Sequence, residues 1–447
     1  MSDLQIYITL AVFGGVILVI AFDVIDMAVA ALLGVSVLLT LGILHERDFI
    51  GALKTGGGPM ALLFGGMVVA HTLGSTGIFD RVGAVYLRAT RGSGKRFLLL
   101  LIALVAPVCA LLPNATTVIL LAPVIIRVAR ALEVDIVRPL ILTAIVSNAA
   151  GLLTLVGDPA TFIVGSSIGM TFGQYLRKVS LGGLLALLAV IPLLPLLMPD
   201  LWRLRRTLPP PEPAKPLERP WFAVLAVAVL AVMVVLFLFG EDLPTRVVPA
   251  SVAIIAAALA LLVIQSVKIE SVDSALRDVD WKTLVFLACI FCLVEGVTGT
   301  GLLQALSFKL YGLFGTRFTV VAMLLLAGIG LLSGLLANTP LVAASILMIK
   351  GYLVAAEMVP EAALAGDFTG WPDAVMPVFI SMMFGATLGG NATLIGSAAN
   401  VVAAGICARN GNRVTFAGWL RYGLPLTLVQ LTVGALYVLG LFFAIGR

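Results

Sequence analysis

The sequence predicts an all-α polytopic membrane protein. It reads as two inverted repeats, each with about five transmembrane helices, a re-entrant helical hairpin and one broken helix. Three observations predict this: an apolar composition, motifs that recur in the same order, and loops whose charge differs between the halves.

Hydrophobic residues make up 61% of the 447 residues and charged residues 11%. A soluble domain carries about 45–50% and about 25%. Apolar stretches of about 17–20 residues recur from end to end, each long enough to cross a hydrocarbon core. No polar region is large enough for a separate soluble domain. The net charge is +5, but the basic residues sit in short loops, so the excess reads as topology and not as a nucleic-acid footprint. The amino end, Met1-Ser2-Asp3, lacks a basic n-region. The first apolar segment runs to about Phe22 and ends at Asp23 without a small-residue cleavage site, so it is expected to be a retained helix.

The repeat comes next. Thr76-Gly77-Ile78-Phe79 matches Thr300-Gly301-Leu302-Leu303, and Leu111-Leu112-Pro113-Asn114 matches Leu335-Leu336-Ala337-Asn338, both 224 residues on. Thr154-Leu155-Val156-Gly157-Asp158 pairs with Thr387-Leu388-Gly389-Gly390-Asn391, 233 residues on. The drift fits a longer loop around Glu361 to Pro372, and three matches in one order indicate an internal repeat. Between the halves lies RLRRTLPPPEPAKPLERP, residues 203–220, expected to be extended, solvated and cytoplasmic. The first repeat is therefore 1–202, with a hairpin near 97–130 and a broken helix near 140–168. The second is 221–447, with a hairpin near 319–356 and a broken helix near 374–406.

Basic loops favour the cytoplasm. Arg81, Arg88, Arg91, Lys95 and Arg96 precede the first hairpin, and Arg127, Arg130 and Arg138 follow it. Both ends of that hairpin are thus on one side, with its tip at Pro113-Asn114 inside the membrane or near the far face. After the second hairpin come Glu357, Glu361, Asp367 and Asp373 with no basic residue among them; Arg409, Arg413 and Arg421 follow the next helix. The opposite pattern, with an odd number of crossings per half, predicts inverted halves, an architecture of secondary transporters.

Three kinds of place can carry chemistry. The hairpin tips, Pro113-Asn114-Ala115-Thr116-Thr117 and Ala337-Asn338-Thr339-Pro340, offer uncharged donors and acceptors. A helix broken in lipid must be covered by protein or line a cavity. The interrupted helices come second: Gly157-Asp158-Pro159 unwinds one, and Gly389-Gly390 loosens the other. Such breaks bring backbone donors and acceptors together, as transporters do at solute and ion sites. The substrate-binding candidates are Asn114, Thr116, Thr117, Asn148, Asn338, Thr339, Asn391 and Thr393. Third, Asp158, Glu295 and His71 are ionisable within apolar segments, with His71 and Glu295 again 224 apart. Charge in lipid is costly, so these are candidates for proton or ion coupling, Asp158 first among them. No enzyme constellation is visible. There is no Walker loop, the two histidines, His45 and His71, lie in different segments, and Thr55-Gly56-Gly57-Gly58-Pro59 reads as a loop and the start of a helix. Cys109, Cys289, Cys292 and Cys407 read as apolar filler, with no disulfide framework and no metal pair.

NATTVILLAPVI from Asn114, SNAAGLLTLVGDPATFIVGSS from Ser147, and FGATLGGNATLIGSAAN from Phe384 carry a resemblance. They resemble the ion transporter superfamily, and most closely its ArsB/NhaD permease and P-protein branch. The resemblance covers nearly the whole chain. It implies a scaffold and a transport domain in each half, a solute held between hairpin tips and broken helices, and an elevator-like movement. The divalent-anion symporters of the superfamily carry Ser-Asn-Thr at each tip; Pro113-Asn114-Ala115-Thr116 and Ala337-Asn338-Thr339 lack the serine. The leading expectation is an ArsB-type exporter of arsenite and antimonite, As(OH)3 and Sb(OH)3, in exchange for protons across the bacterial inner membrane. An associated soluble ATPase is a partner such permeases can have. No cofactor is expected. The alternatives are a sodium/proton antiporter of the NhaD kind and a sodium-coupled anion symporter, with a membrane-embedded assembly subunit as the reading outside transport.

Overall fold

The structure, a computed structural model, describes residues 3–21, 24–208, 219–336, 338–364, 368 and 370–445. Among these residues every named element is a helix. Among the described residues, nine helices are long and apolar enough to cross a membrane, and six further apolar helices are shorter. Helices prevail because a backbone in lipid must satisfy its own hydrogen bonds.

The first half runs α1 (Asp3–Ala21), α2 (Met27–Thr40), the long α3 (Glu46–Ser75), α4 (Ile78–Thr90), α5 (Gly94–Cys109), α6 (Asn114–Ala131), α7 (Val137–Ala150), α8 (Pro159–Ser167), α9 (Phe172–Lys178) and α10 (Ser180–Leu188). Two short helices, α11 (Leu194–Leu197) and α12 (Pro199–Arg203), close it. The second half runs α13 (Pro220–Phe239), α14 (Pro249–Val267), α15 (Val272–Arg277), α16 (Trp281–Gly299), α17 (Leu302–Phe314), α18 (Phe318–Ser333), α19 (Asn338–Ala355), α20 (Met376–Gly389), α21 (Ala398–Arg409) and α22 (Phe416–Ile445).

Lengths match pairwise. Both α4 and α17 have 13 residues, and each follows a left-handed glycine, Gly77 at φ 72° and Gly301 at φ 75°. The pair α5 and α18 has 16 each, α6 and α19 have 18 each, and α7 and α20 have 14 each. At 1.5 Å per residue, α5 rises about 24 Å, short of a hydrocarbon core of about 30 Å. Only residues 132–136 join α6 to α7, whereas 356–375 join α19 to α20. That difference carries the whole drift between the halves.

The drift is larger than the sequence reading gave, and the second register needs correcting. Thr154 Oγ1 donates to the Ala110 carbonyl, and Thr393 Oγ1 donates to that of Gly334. A Cβ at Gly157 would lie 2.9 Å from the Cys109 carbonyl oxygen, and one at Gly396 would lie 3.0 Å from that of Ser333. The breaks therefore superpose at 239 residues, not 233. Thr154 pairs with Thr393, Gly157 with Gly396, and Asp158 with Ser397. The Thr-Leu match at Thr387 misled because a shared dipeptide says nothing about which residue closes the turn.

One further expectation fails. Gly56 to Pro59 lie inside α3, not in a loop before a helix. Burial against other helices explains it: Cβ atoms at Gly56 and Gly58 would collide with Phe291 and Phe162, so the glycines let those rings reach the backbone. The start of the linker is exposed at Arg203, Arg205, Arg206 and Thr207, and its backbone is also tied to the start of α5. Arg206 N donates to Gly92 O at 2.9 Å and Gly94 N to Leu204 O at 3.0 Å. Residues 209–218 of the linker, and Asp367 of the acidic loop, lie outside the described residues.

The halves interlock. The second half's α14 packs on α3, and the first half's α2 packs on α16. In the same way α21 packs on α6 and α7, while α8 packs on α19 and α20. The two broken helices are thereby brought together.

Candidate functional site

Asp158 ends the first break. Its backbone is extended at φ −138°, and Pro159 starts α8 because a first-turn residue needs no N–H partner. The side chain is 1% exposed. A buried carboxylate needs donors, and three elements supply them. Asn114 Nδ2 of α6 donates to Oδ1 at 3.4 Å, Asn338 Nδ2 of α19 donates to Oδ1 at 3.5 Å, and Thr387 Oγ1 of α20 donates to Oδ2 at 3.1 Å. Both hairpin tips and the second broken helix therefore converge on one carboxylate.

Asn148 is the hub beneath it. Its Oδ1 accepts from Asn114 Nδ2 at 2.9 Å and from Ser397 Oγ at 2.8 Å. Its Nδ2 donates to Asn391 Oδ1 at 2.8 Å and to Asn400 Oδ1 at 3.0 Å. Two acceptor and two donor positions exhaust an amide. Asn148, expected to bind solute, is thus saturated by protein.

The second break is built the same way. Asn400 Nδ2 donates to Gly390 O and Thr393 O, both at 2.8 Å, and so closes the turn. Asn391 Nδ2 donates to Gln430 Oε1 at 2.9 Å, and its carbonyl accepts from Trp419 Nε1 at 3.1 Å. The first break has the matching bond from Tyr175 OH to Leu152 O, at 3.2 Å. Thr393 spends its hydroxyl on Gly334. Tight turns hold these breaks: a Cβ at Gly151 would lie 2.9 Å from Asp158 Cβ.

At the tips, Thr117 is fully buried and its hydroxyl has no hydrogen-bond partner among the described residues. It lies one turn after Asn114, on the same face of α6. Thr339 Oγ1 donates to Asn338 Oδ1 at 3.3 Å, and Thr116 is half-buried.

His71 and Glu295 are not among the partners of this carboxylate. His71 Nε2 lies 2.7 Å from Glu270 and Nδ1 3.2 Å from Asp278, before the start of α16. Glu295 faces Gly51 near the start of α3: a Cβ there would lie 3.1 Å from its Oε1. The two residues occupy opposite ends of the antiparallel α3–α16 pair.

Ser397, Asn400, Thr387, Gln430 and Trp419 were absent from the expected site. Ser397 and Asn400 were legible in principle, since aligning Gly157 with Gly396 puts Ser397 opposite Asp158. Gln430 and Trp419 carry no local signal in α22.

Residues 17–366 match the model of CitMHS, described as citrate transporter. The chain belongs to the citrate transporter family. An uncharacterized transporter of Synechocystis sp. is 40% identical over 443 residues, 99% of each chain. One of Mycobacterium tuberculosis is 30% identical and covers 96% of this chain and 97% of its own. The P protein of Homo sapiens is 26% identical across 98% of this chain, which spans 60% of that protein. The fold is similar to the crystal structure of the Alcanivorax borkumensis YdaH transporter, with a TM-score of 0.54, 13% identity, and coverage of 89% and 88%. As a member of this family the chain is a multi-pass membrane transporter and not an enzyme.

Proposed function

We propose that the chain is a secondary active transporter of the bacterial inner membrane that exports a small uncharged oxyacid, arsenite or antimonite, in exchange for protons. Asp158 is the coupling carboxylate in this reading. The observation that carries it is the convergence of Asn114, Asn338 and Thr387 on Asp158, from three separate helices. A proton on Asp158 changes what those donors hold, so protonation and the arrangement of the tips are linked. Among the described residues, the network around the carboxylate contains amides and hydroxyls and no lysine or arginine bond. Such a donor set suits As(OH)3, which is neutral at pH 7. Asn338, Thr339, Thr116 and the unpartnered hydroxyl of Thr117 are the solute-facing groups in this reading. The exchange of packing between halves fits two interlocked repeats, and inversion with elevator-like movement belongs to the same reading.

A second reading is favoured by the family match. A carboxylate anion such as citrate would enter with a cation, and the oxygens of Asp158, Thr387 and Asn338 would hold that cation.

The test is uptake into everted membrane vesicles with an imposed proton gradient, with and without sodium, using arsenite and citrate in parallel. Arsenite uptake that collapses with the proton gradient and ignores sodium supports the exporter. Citrate uptake that needs sodium or a divalent cation, with no arsenite uptake, moves the protein to the second reading. Sodium-dependent dissipation of the gradient with neither solute moves it to a sodium/proton antiporter.

A further inference from the structure

A cleft of about 670 Å³ lies between the carboxyl ends of α6 and α21. Arg127 and Arg130 line it from α6 and Arg409 from α21, and Arg130 donates to Asn410 Oδ1 at 2.8 Å, which ties the two ends together. Below the arginines the walls are apolar, with Ile119, Ile126 and Ile406 among them. Ile119 is 55% exposed, which on a membrane helix means exposure to acyl chains.

Arginine in a loop is common for topology alone. Three on one cleft, above an apolar wall, is a different arrangement. It is also one-sided. The matching positions of the other half hold no arginine: Gly351 and Val354 stand where Arg127 and Arg130 do, Met170 where Arg409 does, and Lys350 where Ile126 does. A vestibule for the transported solute is needed at both faces, because the solute must leave as well as enter. A three-arginine cleft at one face only, greasy below, does not match a soluble polar anion. It matches an amphiphile with an anionic head and an apolar tail.

We propose that this cleft binds the headgroup of an anionic phospholipid, with the phosphate on Arg130 and Arg409 and an acyl chain along Ile119 and Ile126. Basic pockets between transmembrane helices have the chemistry for such headgroups, and guanidinium groups fit phosphate oxygens in pairs. The site is independent of which solute is carried. Because α6 begins at Asn114 and α21 follows Ser397, a lipid between their far ends holds together two elements that carry the network around Asp158.

The experiment is native mass spectrometry of the purified full-length protein, titrated with phosphatidylglycerol or phosphatidylcholine. The wild type should prefer phosphatidylglycerol by roughly tenfold or more. Arg130→Ala/Arg409→Ala should lose that preference, Arg130→Lys/Arg409→Lys should keep part of it, and Arg81→Ala should keep all of it. Melting temperatures check that each variant is folded. An unchanged preference in the folded double alanine variant overturns the proposal. Displacement of the phosphatidylglycerol by inorganic phosphate or citrate at comparable concentration overturns it too, and assigns the cleft to a soluble anion.

Discussion

Asp158 and Thr387 meet across the two halves, hydroxyl to carboxylate, at 3.1 Å. The same positions, exchanged between the halves, are Ser397 and Asn148, and these meet at 2.8 Å. The protein thus makes one contact twice, once with a carboxylate and once without. Only one of the two half-sites carries an ionisable group.

That asymmetry makes Asp158 the residue to change first. Asp158→Asn keeps the shape and removes the titratable group. It should abolish proton-driven uptake while the protein still inserts and melts normally; full gradient-driven flux would remove Asp158 from the coupling role. Thr387→Val deletes one bond to a charged group, worth about 1.5–3 kcal/mol. It should slow coupled uptake by roughly tenfold or more, measured as an initial rate in the same vesicles.

Asn148 and Asn338 should separate structure from binding. Asn148→Ala strands polar groups of Asn114, Asn391, Asn400 and Ser397, at about 1–3 kcal/mol for each one left unsatisfied. Its signature should be a large loss of thermal stability. Asn338→Ala removes one long bond at a tip and should weaken apparent solute affinity with little change in melting temperature. Normal melting of Asn148→Ala would show that the hub is dispensable.

The breaks depend on glycine for space. A Cβ at Gly396 would lie 2.5 Å from the Gly390 carbonyl oxygen. Gly396→Ala should cost about 1–3 kcal/mol by overpacking and lower both melting temperature and transport. At Gly405 a Cβ meets nothing within 4 Å, so Gly405→Ala should match the wild type. Equal melting of the two variants would refute the tight-turn account.

Thiol chemistry has no evident part. All four cysteines are buried and free. Cys109 donates to Ser147 O at 2.8 Å, a bond that a hydroxyl can also make. Replacing Cys109, Cys289, Cys292 and Cys407 together by serine should leave transport within about twofold, allowing for small packing losses. Loss of uptake in a normally inserted variant would point to a thiol step.

The sequence by itself determined the membrane class, and it marked Asn114 and Asn338 at the turns before α6 and α19 and Asp158 at a helix break. These follow from composition, from proline and glycine, and from short motifs, all of which act locally. It did not determine the register of the second break, where a Thr-Leu dipeptide at Thr387 and another at Thr393 compete. Nor did it distinguish Asn148, saturated by four bonds, from Asn338, which is not; saturation depends on Asn391, Ser397 and Asn400, about 240–250 residues away. It grouped His71 and Glu295 with Asp158 because all three interrupt apolar runs. Only the tertiary structure gave them different partners, because which charge meets which depends on the packing of α3 against α16 and of α8 against α20. Hydrogen bonds between distant elements leave no period or motif in the chain, and the site is made of them.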